Sequence, residues 1–131
     1  MIGRRGILRL LLDTHVVVWL LAAETHLSQR AREAVVEPGA ELLVSAVTAW
    51  EYADLHYRKR LPAGADFATA VDVLELATTP FPPDAWRLAE ALPYVHGDPV
   101  DRMLIAHALH LDATLVTADA TMRRYPVRSL W

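Results

Sequence analysis

The run Ile7–Leu12 constrains this chain most. It is apolar apart from Arg9, it is bounded by Gly6 and Asp13, and it has the length and pattern of a buried strand. Similar short runs recur at Glu41–Val44 and Thr114–Val116, with helical stretches between them. Thr14–Ala23 is apolar on nearly every face and predicts a deeply packed helix. Ser28–Glu37 reads as a second helix, started by Ser28 and stopped by Pro38-Gly39. Ser45 caps a longer helix running to about Arg60, where Pro62 and Gly64 end it. Asp66–Ala77, Asp84–Leu92 and Asp98–Leu111 read as further helices, with Pro80, Pro82 and Pro83 marking a turn region that leaves room for a brief strand. Asp119–Arg124 gives a last turn or two of helix, and Val127 a last edge strand. Strands alternating with helices indicate an α/β fold with a mostly parallel central sheet. In such sheets the residues just past the strand C-termini gather at one rim, where ligands bind.

Composition narrows the function classes. A chain of 131 residues has room for one domain and one sizeable core. With 53% hydrophobic and 22% charged residues it is neither a disordered tail nor a solvating linker, and the apolar surplus suggests surface covered by a partner. The absence of Cys excludes disulfide scaffolds, thiolate zinc sites and cysteine nucleophiles. A net charge of −3 excludes gripping nucleic acid by bulk charge alone. Met1–Ala23 imitates a secretory signal, with Arg4 and Arg5 leading an apolar stretch, but Arg9, Asp13 and His15 interrupt that stretch. No run approaches the ~18 apolar residues of a membrane span, so the chain reads as cytoplasmic.

The acidic residues carry the chemistry. Asp13 directly follows the first strand, and Asp119 lies two residues past the strand ending at Thr117. Glu51 stands four residues from both Val47 and Leu55, and Asp101 shares a helical stripe with Leu104, Ile105 and Ala108. Taken singly, each has an ordinary structural explanation. Asp13 and Asp119 are placed to be N-caps, Asp98 caps a helix begun by Pro99 with Asp101 in its first turn, and Glu51 could pair with Arg58 or Lys59. Together they bring four carboxylates to one rim. Convergent acids repel and raise one another's pKa, and a bound cation compensates them. Oxygen-only ligation suits Mg²⁺ or Mn²⁺.

Four segments stand out: Leu11-Leu12-Asp13-Thr14-His15, Ser45-Ala46-Val47-Thr48-Ala49-Trp50-Glu51, His96-Gly97-Asp98-Pro99-Val100-Asp101-Arg102-Met103-Leu104-Ile105-Ala106 and Leu115-Val116-Thr117-Ala118-Asp119. They resemble the PIN domains, and within them the VapC-type ribonuclease toxins of bacterial toxin–antitoxin pairs. Each is weak alone; four in this order and spacing, spanning Ile7 to Tyr125, are specific. The resemblance implies a three-layer α/β/α fold over 1–131, with residues 1–6 a leader that the fold does not need. It implies a metal site at Asp13, Glu51, Asp101 and Asp119, with Asp98 peripheral and Thr117 orienting a carboxylate or a water. It also implies endoribonuclease activity, dimerisation and inhibition by a cognate antitoxin. Arg60 departs from the pattern, since relatives often show Gly before the Leu.

Substrate contact must come from local basic groups: Arg58-Lys59-Arg60 is one candidate patch, and Arg123, Arg124 and Arg128 form another near Asp119. Arg102 is expected to pair with a neighbouring acid. His15 is expected to pack, His26, His56, His107 and His110 have no ligand spacing with the acids, and His96 has no legible role. Trp19, Trp50, Trp86 and Trp131 read as core or interface residues, and the helices carrying Trp19, Trp50 and Tyr57 as walls of a groove for the antitoxin. Two other readings share these residues: a nuclease of RNA processing or DNA cleavage outside any toxin pair, and a non-catalytic binding module whose acids are only caps.

Overall fold

Strand β1 (Leu8–Leu12) lies at the centre of a five-stranded, all-parallel sheet. It pairs with β2 (Ala40–Ser45) on one edge and β4 (Thr114–Val116) on the other. The outer strands are β3 (Ala77–Thr79) and β5 (Ser129–Leu130), in the order β3-β2-β1-β4-β5. The computed structural model describes residues 8–22 and 26–131. The expected leader 1–6, Ile7 and Ala23 lie outside the described residues. The helices are α1 (Thr14–Ala22), α2 (Gln29–Val35), α3 (Ala46–Tyr57), α4 (Phe67–Leu74), α5 (Trp86–Ala91) and α6 (Pro99–Leu111). Among the described residues, no helix is long and apolar enough to cross a membrane.

Side chains alternate across a strand, so consecutive apolar residues feed two cores. Leu10, Leu12, Val44 and Val116 pack with Val16 and Val17 of α1, Ala31 of α2, Tyr52 of α3 and Ala70 of α4. Leu11, Leu43 and Leu115 point the other way, onto Leu104, Ile105 and Ala108 of α6 with Leu92, Met122 and Tyr125. The result is three layers, helices on both faces of the sheet. Arg9 fits this pattern without being buried in a core: its guanidinium meets Glu41 Oε1 at 3.3 Å and donates to the Leu111 carbonyl at the C-terminus of α6. Arg128 donates to the carbonyl and carboxylate of Asp112, the left-handed residue that ends the same helix. Cations at that end complement the helix dipole.

Several boundaries differ from expectation. The helix expected to reach Arg60 stops at Tyr57, because Lys59 takes a left-handed φ of 56° and turns the chain. Glu75 does the same after α4, so Ala77 begins β3 ahead of the proline cluster rather than ending a helix. Asp119–Arg124 forms only a 3₁₀ turn at Met122–Arg124. The last edge strand is Ser129–Leu130, while Val127 packs against the second core.

The connectivity positions the site. From β1 the chain moves outward to β2 and β3, then returns through α5 and α6 to β4 on the opposite side of β1. The strand order therefore reverses between β1 and β4, and the crevice past their C-termini is where α/β sheets bind ligands. Asp13 N–H donates to the Val116 carbonyl at 3.0 Å and holds the two strand ends together there.

One buried titratable group ties the layers. His107 of α6 is fully buried, with Nδ1 2.8 Å from Ser45 Oγ, the cap of α3, and Nε2 without a hydrogen-bond partner. Burial pushes its pKa down from 6.5 to about 4. The unfolded chain then takes up this proton at higher pH than the native one, so stability falls as pH drops from about 6.5 towards about 4. Thermal melts across that window should fall more steeply for the wild type than for His107→Leu. Equal slopes would assign the acid sensitivity to another group.

Candidate functional site

Asp13 sits just past β1 at the reversal of strand order, 8% exposed. Its carboxylate is held from two sides. Oδ1 accepts from Thr14 N–H at 2.7 Å, and Oδ2 accepts from the Thr117 hydroxyl at 2.8 Å. Thr117, fully buried at the end of β4, also accepts from Asp119 N–H at 3.1 Å. One hydroxyl thus couples the acid after β1 to the acid after β4.

Glu51 comes to the same place from α3. Ser45, at the end of β2, accepts from Val47 N–H and starts that helix. The helix turns Thr48 and Glu51 towards α1, where the Thr14 hydroxyl donates to Glu51 Oε1 and stands 3.2 Å from Thr48 Oγ1. Glu51 therefore does not pair with Arg58 or Lys59. Arg58 instead meets Asp54 Oδ2 at 3.1 Å, and both basic residues lie at the far end of α3, about two turns from Glu51. The structure does not bring Arg58 and Lys59 to the acids.

Asp98 caps α6, accepting from Val100 N–H at 3.0 Å and Asp101 N–H at 3.1 Å. This leaves the Asp101 carboxylate free of capping duty, and its Oδ2 lies 3.0 Å from His96 Nε2. Asp119 does cap a turn: its Oδ1 accepts from Thr121 N–H at 2.8 Å and Met122 N–H at 3.4 Å. That turn carries Arg123 and Arg124, both exposed. Asp13, Asp98, Asp101 and Asp119 share a cleft of about 410 Å³ with His15 and Trp19. Glu51 does not line it. Trp19 stacks on His26 at 5.0 Å and leans on Trp131 at 5.8 Å, while His15 is exposed beside it at 6.1 Å rather than packed inside.

The acids sense one another. Burial raises the pKa of Asp13, opposed by the Thr117 and Thr14 bonds and reinforced by Asp119. Burial raises Glu51 as well, with the charges of Asp13 and Asp101 adding to it against the Thr14 bond. Asp101 is raised by burial and by Asp98, Asp13 and Asp119, against the His96 bond. His96 is lifted in turn to about 9 by its bond to Asp101 and then by Tyr125.

Among the described residues, no three His, Asp or Glu side chains stand grouped as a ready coordination sphere. Each carboxylate is engaged by a protein donor, yet Glu51 Oε2, Asp101 Oδ1 and Asp119 Oδ2 receive no hydrogen bond from the described residues. An all-oxygen donor set with unfilled oxygens, in a chain without Cys, matches a hard divalent cation in chemistry. Sequence reasoning missed Thr14, Tyr125 and His96. Arg102 also differs from expectation. It reaches the carbonyls of Ala89, Leu92 and Pro93 and the Tyr125 hydroxyl, and no acid.

The model of the PIN domain family matches residues 10–127. The chain is 33% identical over 118 residues to Ribonuclease VapC22 of Mycobacterium tuberculosis (strain ATCC 25618 / H37Rv), covering 88% of this chain and 90% of that protein. This chain belongs to the PIN domain family, in its VapC branch. Its fold is also that of VapBC2 from Rickettsia felis, solved bound to a DNA fragment from its promoter (TM-score 0.68, 17% identity, 94% of this chain and 98% of that one). DNA-bound VapBC from Salmonella typhimurium is similar at TM-score 0.63 and 18% identity, over 95% and 98% of the two chains.

Raised carboxylate pKa values mean that, without a cation, the charged cluster destabilises the fold. Glu51→Gln keeps an oxygen for the Thr14 hydroxyl and removes a charge. Its melting in EDTA at neutral pH should rise, corresponding to about 1 kcal/mol. A lower melting temperature would mean that Glu51 serves stability as an anion.

Proposed function

We propose that this protein is a Mg²⁺- or Mn²⁺-dependent endoribonuclease and the toxin of a toxin–antitoxin pair. The gathering of Asp13, Asp101 and Asp119 in one cleft at the strand-order reversal, with Glu51 near enough to feel the charges of Asp13 and Asp101, carries the reading. These four would hold the cation, which when bound supplies Lewis acidity at a phosphodiester and lowers the pKa of water beside it. The remaining steps belong to the chain. Thr117 and Thr14 N–H keep the Asp13 carboxylate oriented, and Thr14 holds Glu51 from the neighbouring helix. Asp98 keeps Asp101 on the first turn of α6. Arg123 and Arg124, exposed on the turn that Asp119 caps, suit RNA phosphates.

The names of the relatives support the biological role: one is a ribonuclease, and the fold relatives were solved as VapBC complexes. Apolar surface supports a partner. Trp50 and Tyr57 on α3 and Val73 on α4 are 61%, 85% and 64% exposed. An antitoxin segment laying apolar anchors there, or a second copy of the chain, would cover them. Action on RNA with such a partner places the protein in the cytoplasm.

Asp13→Asn and Asp101→Asn should each reduce Mg²⁺-dependent cleavage of RNA by at least about 100-fold with the fold intact, because an amide is a poor anionic ligand. Expression of the wild-type chain alone should arrest bacterial growth, and Asp13→Asn should relieve the arrest. Cleavage in vitro without growth arrest would keep the nuclease and remove the toxin. Full activity of both variants in EDTA would remove the metal site.

A further inference from the structure

We propose that His96 is a positioning residue that aims the Asp101 carboxylate, resting on the metal-site reading above. A relay of hydrogen bonds ends on this one acid. Arg102 is anchored by the carbonyls closing α5, with 2.9 Å to Ala89 O and 3.1 Å to Pro93 O, and its Nη1 reaches the Tyr125 hydroxyl at 3.3 Å. Tyr125 is 3% exposed, so its hydroxyl is set by packing. That hydroxyl meets His96 three times: it accepts from the backbone N–H at 3.2 Å, donates to the carbonyl at 3.1 Å, and stands 2.9 Å from Nδ1. Both the backbone and the ring of His96 are therefore fixed by one group.

With Nδ1 fixed, Nε2 faces Asp101 Oδ2 at 3.0 Å. An ionised carboxylate only accepts, so Nε2 is the donor. A carboxylate is planar, and pinning Oδ2 also fixes the place of Oδ1, which has no donor among the described residues. Asp101 needs this support, because Asp98, Asp13 and Asp119 all repel it and would turn an untethered carboxylate towards solvent. Asp13 and Glu51 have comparable tethers from Thr117 and Thr14, but among the described residues only Asp101 is held by a ring that is itself held. Groups that orient a metal ligand in this way alter metal affinity when removed.

The test is Mn²⁺ titration of the purified chain by calorimetry, without RNA. The wild type should bind; His96→Ala should bind about 10-fold more weakly. His96→Gln places an amide N–H near the Nε2 position and should recover most of the loss. Tyr125→Phe keeps the ring packing and the histidine, and should weaken binding less than His96→Ala. Should His96→Ala not fold, the other two variants carry the same comparison. In cleavage assays the Mn²⁺ concentration for half activity should rise in His96→Ala, with kcat at saturating metal near the wild-type value. Unchanged or tighter Mn²⁺ binding in folded His96→Ala overturns the inference and leaves the metal site standing. No Mn²⁺ binding by the wild type overturns both.

Discussion

Pairing of β1 along both edges, with both of its faces buried, is the constraint on which the structure depends. Leu10, Leu11 and Leu12 are fully buried, and the strand has neighbours on each side. The next residue, Asp13, therefore leaves the sheet at its most enclosed point. A carboxylate there is costly unless donors meet it, and Thr14 N–H and Thr117 do so. Because β4 lies beside β1, the hydroxyl that ends β4 reaches the acid that follows β1. The same adjacency brings Asp119 close enough for its charge to reach Asp13.

The site shows a compromise between stability and chemistry. Buried acids that raise one another's pKa weaken the fold in the absence of a counter-charge. The protein offsets this locally with hydroxyls, backbone N–H groups and one imidazole, each placed on one oxygen of a carboxylate. Asp119 has the plainest structural duty, capping a turn, and still lies on the cleft. A capping role and a place in the acidic site are compatible, since the two oxygens of a carboxylate can serve different partners.

Much of this was legible from local pattern. Consecutive apolar residues at Leu10–Leu12 and the run Thr114–Val116 announced a sheet covered on both sides, and Ser28, Ser45 and Asp98 do cap helices. Less legible were turns made by residues in left-handed backbone that are not glycine. Lys59 and Glu75 adopt it, and residue types that favour helices give no sign of that. Arg102 misled because a guanidinium is usually matched with an acid, whereas here the carbonyls at the C-terminal end of α5 bind it. His96 and Tyr125 are 29 residues apart and carry no shared spacing to detect.

The amino-acid sequence by itself determined the three central strands, where the acids fall relative to their ends and to the helix starts, and that Ser28, Ser45 and Asp98 cap helices. These are relations between chain neighbours, set by periods of 2.0 and 3.6 residues. Only the tertiary structure decided which partners those acids meet: Thr117 on Asp13, Thr14 on Glu51 and His96 on Asp101. It also left Arg58 and Lys59 at the far end of α3, about two turns from Glu51. These outcomes depend on strand order and on the rotation of each helix about its axis, and packing of the two cores sets both.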